Sequence, residues 1–380
     1  MTLRDLVNAK SVIVCVGSGG VGKTTVAAAI ALWAAVGGRR VLCLTIDPAR
    51  RLAQSLGLTE MRGEEQEISR SFFDAAGLDP KGSLHAAMLD PKRTFDALIE
   101  KYASSEEARD RILGSKLYHH VSAVLAGTQE YMAMEKLYAV RGSQEFDLVV
   151  LDTPPTSNAL DFLDAPQRMV SAIDSPAVRW FMNAYRGIGP GGAFGVVSRG
   201  ASFILRGLSR FTGAGFLEDM SRFVTDLSGL FGGFRERAVQ VYESMRAPDV
   251  AFAIVTSPDP MAINEAIYFS DRLAEGQMAR DAFIVNRVRP RRPAPRVSAP
   301  ADIAERIGES MRLVADPVTF GRHLVQNFTD YRVLGDIDQR EIKRLKERCG
   351  AGPTYAEVPA FDEDVHDLRA LTRVNAHLFA

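Results

Sequence analysis

SVIVCVGSGGVGKTTVAAAIALWAAV (11–36) decides the fold of this chain. It opens with a β-branched apolar run, bends through a glycine-rich loop and closes in an Ala-rich segment of helical character. Within it GSGGVGKT (17–24) satisfies G-x-x-x-x-G-K-[ST] at every fixed position, and the strand–loop–helix context is the one that this spacing requires. Gly17, Gly19, Gly20 and Gly22 let successive backbone N–H groups, that of Val21 among them, turn inward as an anion nest. The following helix adds the positive end of its dipole. The motif predicts contact of Lys23 with β- and γ-phosphates, ligation of Mg²⁺ by the Thr24 hydroxyl and an α-phosphate contact from Thr25.

Outward from this stretch, short apolar runs recur between helical segments: RVLCLTID (40–47), FDLVVLDT (146–153), VAFAIVTS (250–257) and AFIVNRV (282–288), with weaker candidates at 83–89 and 354–360. Continuous apolar strands alternating with helices predict a doubly wound, mostly parallel α/β sheet, the P-loop NTPase class, with ligands at the carboxyl ends of the strands. Two gaps exceed simple crossovers and read as helical insertions. The expected organisation is a first core part with switch I (1–89), an insertion (90–145), a core strand with switch II (146–164), a helical client or partner subdomain (165–247) and a second core part (248–380).

Over 380 residues the hydrophobic fraction is 46% and the charged fraction 24%, ordinary for a soluble protein with a sizeable core. A formal net charge of −1 argues against a nucleic-acid partner. Cys15, Cys43 and Cys349 share no C-x-x-C spacing, so they read as small core residues in a reducing compartment. The N-terminus has no secretory h-region, and the longest apolar run, Val26–Val36, falls short of the roughly 20 residues that cross a bilayer. The expected location is cytoplasmic.

Two carboxylates end apolar strands where Mg²⁺ and an attacking water belong. Asp152 closes FDLVVLD and suits a group that organises Mg²⁺ and its water shell. Asp47 closes RVLCLTID before Pro48 and supports two readings, a helix N-cap and a catalytic group that belongs with Thr24 and Asp152 at the metal. His119 and His120 are adjacent, would point apart on a helix, and read as structural.

With these motifs assembled, the chain resembles the arsenite-pump (ArsA) ATPases, a family that includes the ATPase delivering tail-anchored membrane proteins, within the MinD/ParA class of dimeric P-loop ATPases. GSGGVGKTT is similar to the family's P-loop. LTIDPARRLAQSLG resembles switch I, which implies that Asp47 orients the hydrolytic water, and LDTPPTSNALDFL resembles switch II, which places Asp152, Thr153 and Pro155 near the γ-phosphate. AGTQEYMAMEKLY (126–138) is similar to a helical segment of bacterial members, and VTSPDPMAINEA (255–266) to the segment after a main strand. IVNRV implies Asn286 as the adenine reader; VPAFDEDV (358–365), with Pro359 and Phe361, resembles the loop closing over the base. No Asn-Lys-x-Asp guanine reader is present, which favours ATP.

The resemblance has departures. Ser18 stands where relatives carry a lysine that reaches the partner's phosphates, which predicts slow hydrolysis by a homodimer. Pro and Arg fill 289–300, where a dimer-bridging C-x-x-C would fall, so no zinc is expected. Between Pro176 and Leu217 there is no acidic residue, while five arginines are interleaved with aromatics and nine glycines. Two readings stand for 165–247: a packed helical subdomain with a solvated arginine face, or a groove for an apolar client helix or a membrane-associated partner. The preferred expectation is an Mg-dependent ATPase switch acting as a homodimer, or as a heterodimer with a related ATPase. The alternative is a nucleotide-gated adaptor with little turnover of its own, and a ParA/MinD-like positioning ATPase ranks third.

Overall fold

The computed structural model describes residues 2–46, 51–58, 61, 65–115, 118, 128–153, 160–173, 176, 223, 226, 233, 236–291, 302, 306 and 316–380. Asp47, Pro155, His119, His120, most of 289–300 and the arginine-aromatic stretch lie outside them.

Helix α1 (Leu3–Ala9) leads into β1 (Val12–Val16), α2 (Lys23–Val36), β2 (Arg40–Thr45), α3 (Arg51–Ser55), β3 (Gln66–Glu67), α4 (Arg70–Ala75) and β4 (Ser83–Met88). Helices α5 (Pro91–Tyr102), α6 (Glu106–Gly114) and α7 (Thr128–Ser143) follow, then β5 (Leu148–Asp152) and α8 (Leu160–Ile173). The chain returns through β6 (Val250–Thr256), α9 (Pro260–Glu275), β7 (Ala282–Val288), α10 (Pro317–Cys349), β8 (Thr354–Pro359) and α11 (Leu368–Leu378). The eight strands form one sheet in the order β3-β4-β2-β5-β1-β6-β7-β8. Every pairing is parallel except β3 with β4.

All the strands expected from the apolar runs are present, including the two weaker ones. Most strands end a residue or two short of the apolar runs. β2 ends at Thr45, two residues before Asp47, and β5 ends at Asp152 with Thr153 already outside it. β3 carries no apolar signal: it is two exposed residues held by backbone pairing to β4. Cys349 is the last residue of α10 and is buried. At 33 residues, α10 is about 50 Å long.

Side-chain alternation along the strands builds a core on each face. Val12, Val14, Val16, Leu42, Leu44, Val149 and Leu151 join Tyr131, Met134 and Leu137 of α7. Ile13, Cys15, Val41, Cys43, Leu148 and Val150 join α2 and α11. Helix α2 is buried nearly all round, because its alanines let the sheet and α11 approach closely. This places the N-terminus of α2 over the carboxyl ends of β1 and β5.

Candidate nucleotide site

Gly17 leaves β1 at φ 150°, and a Cβ there would lie 2.0 Å from the Val255 carbonyl oxygen of β6. Gly22 precedes α2 at φ 94°, where a Cβ would lie 2.2 Å from Asn286 Nδ2. Only glycine fits either position. The loop is thus pressed between two strand ends, and no side chain caps the first turn of α2, which leaves its N–H groups for an anion.

The Lys23 side chain, 6% exposed, folds back over the loop, its Nζ donating to the carbonyls of Gly17 at 2.9 Å and Ser18 at 2.8 Å. Thr24 Oγ1 donates to Asp152 Oδ2 at 2.8 Å, and Thr45 Oγ1 donates to the same oxygen at 2.9 Å. Asp152 is fully buried, behind Thr24. Thr153 Oγ1 donates to the Cys15 carbonyl at 2.8 Å, and the Ile46 N–H donates to the Asp152 carbonyl at 3.2 Å. These bonds lace the ends of β1, β2 and β5 together. Burial, reinforced by the Asp152 charge, pushes the Cys15 thiol far up, so it stays protonated.

A cavity of about 880 Å³ opens in front of the loop. Gly20, Gly22, Lys23, Thr24 and Thr25 line it together with Asn286, Pro359 and Phe361. Asn286 Nδ2 donates to the Val21 carbonyl at 2.9 Å, while its Oδ1 accepts from the Arg287 N–H at 3.0 Å. In this conformation the Asn286 amide braces the P-loop as well as facing the cavity. Arg373 covers Phe361, its Cζ 5.4 Å from the ring centroid, and pairs with Glu363 at 3.3 Å. Those contacts tie the last loop to α11.

Of the candidates from sequence, Gly20, Gly22, Lys23, Thr24, Thr25, Asn286, Pro359 and Phe361 share this cavity. Gly19 and Val21 line a second hollow, of about 590 Å³, on the outer side of the loop with Ser18, Ser257 and Met261. Asp152 reaches the site through Thr24. Thr45, Arg51, Gln54 and Arg287 were not singled out in the sequence; the last three line the main cavity. Thr45 carries a weak signal, since it lies near the carboxyl end of the apolar run RVLCLTID, where open parallel sheets place ligands.

The donor set fits a hard cation: a hydroxyl and a carboxylate oxygen stand together at the strand ends, and Mg²⁺ keeps several waters and needs few protein ligands. Glycine-framed amides and a buried ammonium fit polyphosphate, while Phe361 and Pro359 offer apolar walls for a base.

Residues 10–183 match the family model described as anion-transporting ATPase. The chain is 29% identical to ATPase GET3 of Malassezia globosa over 174 residues, 45% of this chain and 48% of that relative. It is 27% identical to ATPase GET3 of Mycosarcoma maydis over 191 residues, 50% of this chain and 51% of the relative. Against ATPase get3 of Aspergillus terreus it is 27% identical over 176 residues, 45% and 48% of the two chains. The chain spans about half the length of the curated relatives it matches, and these relatives are fungal.

Proposed function

We propose that this chain, which carries an ArsA-type anion-transporting ATPase domain over residues 10–183, is an Mg-dependent switch that binds and hydrolyses ATP. The observation that carries the reading is the glycine-pinned loop that holds Lys23, Thr24 and Thr25 in the wall of a cavity that Asn286, Pro359 and Phe361 also line.

In this reading the loop amides from Gly19 to Thr24 receive the phosphates. The Lys23 ammonium exchanges its bonds to the Gly17 and Ser18 carbonyls for β- and γ-phosphate oxygens. Thr24 and Asp152 hold Mg²⁺, with Asp47 near them. Bound Mg²⁺ supplies charge neutralisation at the phosphates. Asp47 orients a water toward the γ-phosphorus; the bond to the β–γ bridging oxygen breaks, and ADP and inorganic phosphate form. Lys23 balances the negative charge gathered on the leaving oxygen. Thr25 faces the α-phosphate, and Asn286, Pro359 and Phe361 enclose the adenine.

The nucleotide state is proposed to act at a dimer interface and through switches I and II on the helical stretch 165–247, around an apolar client helix or a membrane-associated partner. Likeness to the tail-anchored-targeting ATPases supports this and names no client. Ser18 supports the second reading, a nucleotide-gated adaptor that pairs with a related chain and turns over little alone.

Turnover measured against protein concentration tests the choice. The ATPase reading expects phosphate release that rises more steeply than protein concentration; a purified chain that binds ATP without turnover at any concentration leaves the adaptor. Asp47→Asn is expected to retain ATP affinity and lose turnover. Unchanged turnover would reduce Asp47 to a helix cap.

A further inference from the structure

Among the described residues, three non-glycine residues have positive φ: Gln144 and Gln277 at 56° and Arg287 at 60°. Gln144 follows the last residue of α7, and Gln277 follows Gly276, the C-cap of α9. A left-handed residue just past a helix is an ordinary way to end one. Arg287 has no such excuse, because it lies inside β7.

The β7–β8 register explains how it is held there. Val285 pairs with Glu357 and Val288 with Pro359, so Asn286 and Arg287 stand opposite the single residue Val358. Two residues against one is a β-bulge, the device that re-aims a strand side chain. The bulge is pinned by Asn286, which accepts from the Arg287 N–H and donates to the Val21 carbonyl of the P-loop. A long cationic residue is thereby kept in a backbone conformation suited to glycine, beside the loop, and such retained strain clusters at functional sites.

Its position is specific. Arg287 and Gly20 line both the 880 Å³ cavity and the 590 Å³ hollow on the outer face of the loop. Asp259 and Glu265 share the outer hollow, yet the Arg287 guanidinium makes no ion pair or side-chain hydrogen bond among the described residues. A guanidinium at the rim of a phosphate cradle offers planar donors matched to phosphate oxygens. We propose that Arg287 binds the phosphates of the nucleotide from the same chain, as a cation additional to Lys23. This rests on the ATP reading of the cavity.

Calorimetry on the full chain tests it with Mg·ATP, Mg·ADP and adenosine. Arg287→Gly is the decisive variant, since glycine accepts the left-handed conformation and keeps the bulge; Arg287→Lys keeps the charge. The expected result is a loss of ATP affinity of about 10-fold or more in Arg287→Gly, a smaller loss in Arg287→Lys, and adenosine affinity unchanged in both. Wild-type ATP affinity in Arg287→Gly, with Lys23→Ala abolishing it, overturns the role of Arg287 and leaves the ATP reading standing. Equal losses for ATP and adenosine also overturn it, because the defect then lies in the Asn286 brace. Unchanged ATP affinity in Lys23→Ala removes the ATP reading itself.

Discussion

Asp152 and Glu135 are both buried carboxylates beside a cavity, and they keep different company. Asp152 accepts from the Thr24 and Thr45 hydroxyls, and of these three residues Thr24 lines the 880 Å³ cavity. Glu135, on α7, is gripped by Arg237, whose Nε and Nη2 approach Oε1 at 2.7 and 2.5 Å, beside a cavity of about 290 Å³. The Arg237 Cζ stands 3.9 Å over the Tyr138 ring. Burial, then the Glu135 charge, pushes the neighbouring Tyr131 phenol far up, so it remains a neutral donor. A guanidinium pair under an aromatic ring is fixed, because separating its members leaves a buried charge. A threonine hydroxyl can rotate and exchange a carboxylate for a cation. A buried acid thus serves as a weld in one region and, in the proposed function, as an adaptable ligand group in the other.

The comparison can be broken first at the loop. Lys23→Ala is expected to lower ATP affinity by about 100-fold or more with the far-UV spectrum retained; calorimetry showing wild-type affinity would remove the site. At the weld, Glu135→Ala should cost about 3–5 kcal/mol in denaturant melts, because Arg237 is left buried and unpaired. Replacing both, Glu135→Leu with Arg237→Met, should recover most of that loss. If the single and double variants melt alike, the pair is not the weld described here.

Smaller effects sharpen the contrast. Gly22→Ala meets both a positive φ and the Asn286 amide, and should cost about 1–3 kcal/mol together with ATP affinity. Adding Asn286→Ala relieves the collision and not the backbone strain, so partial recovery of stability is the informative outcome. Smallest is Asp147, a surface acid whose carboxyl is held below the usual range by the Arg40 side-chain hydrogen bonds and then by the Arg40 N–H. A depressed folded value means stability present above the unfolded value near 3.8 and lost as pH falls through the lower folded one. Asp147→Asn should flatten that acid limb, measured by melts between pH 5 and pH 2, and cost less than about 1 kcal/mol at neutral pH.

What could be read from sequence follows how local each feature is. The P-loop was legible because strand, glycines, lysine and helix lie within one short stretch, and the glycine spacing dictates the bend. Asp152 and Asn286 were legible because each closes or nearly closes an apolar run, and open parallel sheets place ligands at such ends. Glu135 and Arg237 gave no signal, since 102 positions separate them and only folding joins them. The left-handed Arg287 was hidden for a related reason: its bulge depends on the register of β7 against β8, which no local pattern states. β3 escaped because Gln66 and Glu67 have neither apolar alternation nor length. Over 90–145 the described residues form α5, α6 and α7, while Asp47 and 154–159, read from sequence as parts of switches I and II, lie outside the described residues.

The two outer strands bear on self-association. β3 presents a fringe only two residues long that carries a carboxylate, and β8 closes on Pro359, which has no N–H to donate. The β3 edge offers a foreign strand almost nothing to extend, and Pro359 withholds a donor at the end of the six-residue β8, two devices that blunt edge-to-edge pairing.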